Sequence, residues 1–366
     1  MPPRLLLSVV TVLALVAPAT PAFAHPHGRT FDLQAHRGGL GLVVESTLAA
    51  FANGLAVGVS TLEMDVQITR DGRAVVTHDR QVSAAKCRDT TGHYVGRYIV
   101  TLTLAEVRTL DCGSQTLPQF PGQRPSPGAR MPLLREVFDL VRSYRAYGVK
   151  LNVETKVEAG APNETAPREQ FVQVVAAEVR RAQLLRQVTI ESFDWGALMR
   201  MRQVEPRLPI VALTNGQQFL QAGMPGRSPW LGGLDIDDFG GDLVDAVSSF
   251  GADALSPVHG DPQDGTVADP GYRPYTTRAM VAEAHAAGIK VIPWTVDDKA
   301  TMEKLIADGV DGMITDYPDR LREVMAEHCL RLPRRSQGAD RRAGRPRGTN
   351  GPALRARRGS GRGAPG

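Results

Sequence analysis

The feature that most limits what this chain can fold into is a rhythm between Phe31 and Asp316, in which short β-branched runs alternate with longer amphipathic ones. The strand candidates are FDLQAH (31–36), STLEMDVQI (60–68), KLNVETK (150–156), QVTIESF (187–193), PIVALT (209–214), ADALSPV (252–258), KVIPWTV (290–296) and GMITDY (312–317). Helical patterns fall between most of them, as at 46–58, 167–185 and 276–288. The chain has 366 residues, enough for two domains. Eight strands separated by helices instead predict one closed (β/α)₈ barrel, the TIM-barrel architecture. A doubly wound open sheet is the alternative, but no Gly-x-Gly-x-x-Gly turn follows the first strand.

The segment from about 69 to 131 breaks the rhythm. It opens with a Thr-Arg-Asp-Gly turn signal, returns through AVVTHD and continues in Gly- and Pro-containing sequence. It reads as an insertion after the second strand, sited over the barrel mouth. Its 80–130 stretch is read as poor in large apolar residues beyond Tyr94, Tyr98 and Phe120.

Residues 1–24 read as a secretory leader. Arg4 gives a positive start, Leu5 to Ala17 an apolar run too short for a membrane anchor, and Ala22-Phe23-Ala24 a small-x-small cleavage site. Export and release after Ala24 are expected. In an oxidising compartment Cys87 and Cys112 are expected to pair, a closure worth roughly 3 kcal/mol in the chain-entropy model. Cys329 is left over and expected to be a partly buried thiol.

The charge is uneven. From Arg331 onward there are 11 Arg, one Asp and no Lys or Glu, a net of +10 against +4 for the whole chain, so the remainder carries about −6. This tail, 331–366, lacks apolar periodicity and is expected to be disordered, with polyanions as its possible contacts. The globular domain is expected to span 25–330 and to be monomeric.

In a (β/α)₈ barrel the site lies at the C-terminal ends of the strands. His36 and Arg37 end the first strand, Glu63 and Asp65 alternate with Leu62, Met64 and Val66 along the second, and Glu154 and Lys156 end the third. The polar face of the second strand is expected to point into the barrel. Glu63, Asp65 and Glu154 offer three carboxylates from adjacent strands, oxygen ligation that suits a hard cation, Mg²⁺ or Ca²⁺. His36 and His78 each end a strand beside a charged residue, and imidazoles can serve as general base and general acid. The other histidines, His259 among them, are expected to be structural. Arg37 and Lys156 match phosphate oxygens, which glycoside hydrolysis by a carboxylate pair would not require.

These residues carry a resemblance. HRGG, then ESTLAAF, the EMDVQITRDGRAVVTHD stretch, NVETK, ESFDW, PWTV and MITDYP look like the glycerophosphodiester phosphodiesterases, in order and over about residues 31–320. The resemblance implies a phosphodiesterase TIM barrel that hydrolyses a small glycerophosphodiester to glycerol 3-phosphate and an alcohol. It implies metal ligation by Glu63, Asp65 and Glu154, acid–base catalysis by His36 and His78, phosphate contacts from Arg37 and Lys156, and an apolar wall at Trp294 beside the glycerol. Asp316 is read as bracing the eighth strand. Glu45 matches the family's Glu-Asn-Thr motif, with Ser46 in the middle position and Val44 where a proline is usual. The alternatives are a phospholipase D-like relative acting on lysophospholipid, sphingomyelin or a glycerophosphate wall polymer, and a non-catalytic polyanion-binding module.

Overall fold

Each of the eight expected runs becomes a strand in the computed structural model, which describes residues 29–338. The expected leader (1–24) and the tail from 339 onward lie outside the described residues. The strands are β1 (Asp32–Ala35), β2 (Thr61–Ile68), β3 (Lys150–Thr155), β4 (Val188–Ser192), β5 (Ile210–Thr214), β6 (Ala254–Pro257), β7 (Lys290–Val291) and β8 (Gly312–Thr315). They pair in parallel in the order β7-β6-β5-β4-β3-β2-β1-β8. Between β7 and β8 the circle is closed by the Asp311 N–H to Val291 O at 2.9 Å, Ile314 N–H to Pro293 O at 3.0 Å and Val296 N–H to Ile314 O at 2.9 Å. The expected strand 290–296 is regular only over β7, because Pro293 has no N–H to give to a ladder.

A helix follows every strand: α1 (Leu48–Val57), α2 (Leu134–Ser143), α3 (Arg168–Arg181), α4 (Trp195–Val204), α5 (Leu243–Ser249), α6 (Arg278–Ala286), α7 (Lys299–Asp308) and α8 (Pro318–Glu327). Thr47, Asp194, Thr277 and Asp298 cap four of them by accepting a backbone N–H of the first turn. Leu62, Met64, Val66 and Ile68 of β2 join the main core with Phe51 and Leu55 of α1 and Phe138 of α2. Each such side chain contributes roughly 1.5–3 kcal/mol by leaving water. The intervening Glu63, Asp65 and Gln67 are buried too, on the interior face, as the alternation predicts.

The insertion begins with a hairpin. Thr69 N–H donates to Arg73 O and Gly72 N–H to Thr69 O, both at 2.9 Å, and Ala74–Val76 then pairs antiparallel with the end of β2. The expected Cys87–Cys112 bond is present. Val75, Val82, Ile99, Leu102, Val107, Leu110, Met131 and Leu133 pack with Cys87 into a second, smaller core. The apolar content that the sequence reading passed over is thus spent inside the insertion. Cys329 is exposed rather than partly buried, because it lies just past the end of α8 with a φ of 54°. Beyond the domain end expected at 330, Arg331 bridges to Thr30 and Ser336 N–H donates to Leu55 O at 2.8 Å. Among the described residues no helix is long and apolar enough to cross a membrane.

Candidate active site

One cavity of about 310 Å³ at the C-terminal ends of the strands is walled by His36, Arg37, Glu63, Asp65, His78, Glu154, Lys156 and Trp294. All eight residues singled out for chemistry therefore meet in one place. Glu191, Phe193 and Phe219, which the sequence reading did not assign, share that wall.

His36 and Arg37 enter the cavity because β1 stops in a tight turn, His36–Gly38. Arg37 adopts a φ of 50° there, and Gly38 turns at 86°. A Cβ on Gly38 would lie 2.8 Å from the Ala50 backbone, so α1 packs directly on the turn that aims both side chains. His36 Nδ1 meets Asp316 Oδ1 at 2.5 Å, and the residue lines the cavity. Asp316 thus braces a histidine as well as closing β8. Behind it, the Asp316 N–H and Thr315 hydroxyl both donate to Asp297 Oδ1, at 2.8 and 3.0 Å. Burial and the neighbouring Asp316 push the Asp297 carboxyl up to about 8. The Arg37 guanidinium donates to Glu45 at 2.6 Å and lies 3.3 Å from Asp65. Burial alone would lower its pKa, but Glu45 and Asp65 outweigh that and raise it. Arg37 is a permanent cation.

The carboxylates come from three adjacent strands. In register Asp65 of β2 faces Glu154 of β3, and Glu154 faces Glu191 of β4. Oxygens of Glu63, Glu154 and Glu191 all lie within 4.8 Å of one another. The grouping differs from the expected Glu63, Asp65 and Glu154. Asp65 sits beside the trio, with Arg37 on one side and Lys156 Nζ at 3.7 Å on the other. Burial would raise the Asp65 pKa, but the surrounding cations pull it down, so it is ionised. The trio behaves in the opposite way. Burial and neighbouring carboxylates raise Glu63 and Glu191 well above the usual range, and burial pushes Glu154 up to about 7 even with Lys156 Nζ at 2.9 Å.

This donor set fits a divalent cation on two counts. Glu63, Asp65, Glu154 and Glu191 are each no more than 6% exposed, so water cannot screen their repulsion. With Glu45 and Asp79 they make six carboxylates about the three cations Arg37, Lys156 and Lys86, so the acids outnumber the cations, and the raised pKa values of Glu63 and Glu191 reflect that excess. Asp65 Oδ2 faces Arg37 Nε at 3.3 Å without a hydrogen bond between them, so the pair is held by charge alone.

His78 arrives from the insertion. Thr77 N–H donates to Asp65 O at 3.0 Å, which fixes the return strand to β2, and His78 Nδ1 then meets Asp79 Oδ1 at 2.8 Å. Desolvation in the cleft, with Arg37 and Lys156 nearby, holds its imidazole well below the usual pKa, so it is neutral near pH 7. Lys156 Nζ lies over the Phe193 ring at 5.6 Å. Trp294 stands edge-on to Phe193 and anchors its indole N–H on Ser256 O at 3.0 Å. A second cleft of about 520 Å³ shares His78, Glu154, Lys156, Phe193 and Phe219 with the first and extends to Trp230 and the Arg80–Ser83 edge of the insertion. His259 is structural, as expected: its two ring nitrogens meet the Tyr272 hydroxyl and Gln263 O, both at 2.8 Å.

The family model described as the glycerophosphoryl diester phosphodiesterase family matches residues 36–320, which begin at His36 and end just past the turn that carries Asp316. The chain belongs to this family. It is a phosphoric diester hydrolase. It is 29% identical over 287 residues to a glycerophosphodiester phosphodiesterase of Caldanaerobacter subterraneus, covering 78% of this chain and 94% of that one. A solved structure from Silicibacter pomeroyi, named for the same family, is 31% identical, with a TM-score of 0.70 over 83% of this chain and 96% of that one. A phosphodiesterase of Oleispira antarctica, solved with the product sn-glycerol-3-phosphate, shares the fold at 21% identity and a TM-score of 0.59, covering 80% and 96%. The matched residues run from the turn that ends β1 through β8 into α8.

Of the site residues the sequence reading missed, Glu191 had a readable signal. With Thr189 it alternates with Val188 and Ile190 on a barrel strand, the pattern that exposed Glu63 and Asp65. Asp79 follows His78 directly. Lys86 and Asp297 carry no such local mark.

Proposed function

We propose that this chain hydrolyses a glycerophosphodiester to glycerol 3-phosphate and an alcohol, with His36 and His78 as the acid–base pair and a divalent cation at the carboxylates. The observation that carries this reading is the single cavity in which two carboxylate-backed histidines, two cations and a cluster of uncompensated acids meet. Glu63, Glu154 and Glu191 would hold the cation, with Asp65 beside them. A bound Mg²⁺ or Ca²⁺ would supply Lewis-acid withdrawal of charge from the non-bridging phosphate oxygens.

The residues divide the remaining work. Arg37 and Lys156 hold the phosphate, and Trp294 with Phe193 walls the glycerol. The neutral His78 takes the proton of the free glycerol hydroxyl as its oxygen bonds to phosphorus. His36, turned by Asp316, gives a proton to the alcohol oxygen as the P–O bond breaks. Water then opens the cyclic phosphate, with the proton transfers reversed.

The Cys87–Cys112 bridge supports an oxidising compartment, and with the 1–24 leader it favours a secreted enzyme. The test is release of the head-group alcohol from a panel of glycerophosphodiesters and lysophospholipids, with Mg²⁺, with Ca²⁺ and with chelator. Turnover of the small diesters that needs a divalent cation and is lost in His36→Ala is expected. Turnover that survives both chelation and that substitution sinks the reading, and turnover confined to lysophospholipid favours the phospholipase D-like alternative.

A further inference from the structure

One cation of the insertion stands between the two histidine-bearing halves of the site. Lys86 Nζ lies 2.8 Å from Glu45 Oε1 and 2.9 Å from Asp79 Oδ1. Each carboxylate holds a working group as well: Glu45 Oε2 takes Arg37 at 2.6 Å, and Asp79 Oδ1 takes His78 Nδ1 at 2.8 Å. Glu45 is buried, and its Oε1 has no other partner among the described residues. Burial would raise the Glu45 pKa, but Arg37 and Lys86 pull it down to about 2.

The position of Lys86 is itself held. Lys86 N–H and Cys87 N–H both donate to Ser83 O, at 3.2 and 2.9 Å. Cys87 is bonded to Cys112, and Arg88 and Asp111 exchange backbone hydrogen bonds of 2.7 and 3.0 Å beside the bridge.

We infer that Lys86 is a positioning residue that ties the phosphate-holding Arg37 and the acid–base His78 into one geometry through Glu45 and Asp79, and that the Cys87–Cys112 bridge keeps it in place. For its kinetic consequence the inference rests on the phosphodiesterase reading. Without Lys86, Glu45 keeps a buried oxygen with no donor and Asp79 is free to turn away, so His78 and Arg37 lose their common reference.

The test uses the full mature chain and the panel above. Lys86→Met is expected to lower kcat about 10- to 100-fold with a change in KM below about threefold, the signature of misplacement within an assembled site. Lys86→Arg is expected to restore kcat to within about fivefold of the parent, since a guanidinium can span the same two carboxylates. The double variant Cys87→Ser/Cys112→Ser is expected to lower kcat in the parent and to add less than about twofold in the Lys86→Met background, as groups acting through one link are not additive. The ¹⁵N signals of the His78 ring are expected to move in Lys86→Met and to return in Lys86→Arg. A Lys86→Met enzyme with parental kcat, unchanged His78 signals, or full multiplication of the two losses would each overturn the inference. A parent chain that turns over no diester defeats the phosphodiesterase reading instead, and the His78 signals still decide the role of Lys86.

Discussion

His36 and His78 face one cavity but are carried in different ways. His36 stands on the barrel: it ends β1, its partner Asp316 follows β8, and those strands are paired along their length. His78 hangs from the insertion, and its partner Asp79 is its own chain neighbour. The Asp316 side chain is 8% exposed, whereas the Asp79 side chain is 29% exposed and shared with Lys86. The lesson is that one half of the chemistry inherits the rigidity of a closed sheet, and the other depends on a loop with its own small core.

That contrast can be broken in a definite order. Removing either imidazole, by His36→Ala or His78→Ala, is expected to lower kcat about 10²- to 10⁴-fold, measured as alcohol release. A loss below tenfold in either would end the pairing. The partners should differ more than the histidines do. Asp316→Asn is expected to cost about 10²-fold in kcat, because it removes the charge that orients the half-buried ring and supports it when protonated, and Asp79→Asn only about tenfold. Equal losses would erase the distinction between the two halves.

The barrel half also carries the acids, which gives a stability readout. Glu154 is raised from 4.5 to about 7 in the folded chain, and Glu63 and Glu191 are raised in the same direction. A group that holds its proton more tightly when folded stabilises the fold below its unfolded pKa, and that stability is lost as pH rises through the folded value. The Tm of chelated protein is therefore expected to fall between about pH 5 and about pH 8, and saturating Mg²⁺ or Ca²⁺ to restore most of the loss at the alkaline end. A chelated protein with a flat profile over that range would contradict the crowding of these acids. The smallest effect belongs to the far end of the molecule. Ending the chain after Gly338 should leave kcat unchanged, while ending it after Leu330 should lower Tm by a few degrees, roughly 2–4 °C, by removing the Ser336 contact with α1.

The barrel was legible because burial on one face imposes a period, and that period survives in every strand from 31 to 317. It misled only where a backbone donor was missing, at Pro293. Glu63, Asp65, Glu154 and His36 could be read for the same reason: polar residues on or just past barrel strands have few places to go except the mouth, and His78 could be read because it follows the strand that returns along β2. The trio with Glu191 was not drawn, because which acids touch depends on register between strands, and Asp65 is drawn off by Arg37 and Lys156. Asp316 was read as a brace for its strand, since its partner lies 280 residues away. The insertion was the least legible part. Its apolar residues have no regular spacing, so a core drawn from Val82, Ile99, Leu102 and Leu110 could not be seen before folding.

That separate core bears on how the enzyme would fail under stress. A segment with its own apolar cluster can open as a cooperative unit, at less cost than global unfolding, while the sheet beneath stays intact. Opening of this kind would carry off His78, Asp79 and Lys86 together and leave His36 and the carboxylates standing. Heat would then silence turnover at a temperature where spectroscopy still reports a native barrel, and cooling would return it.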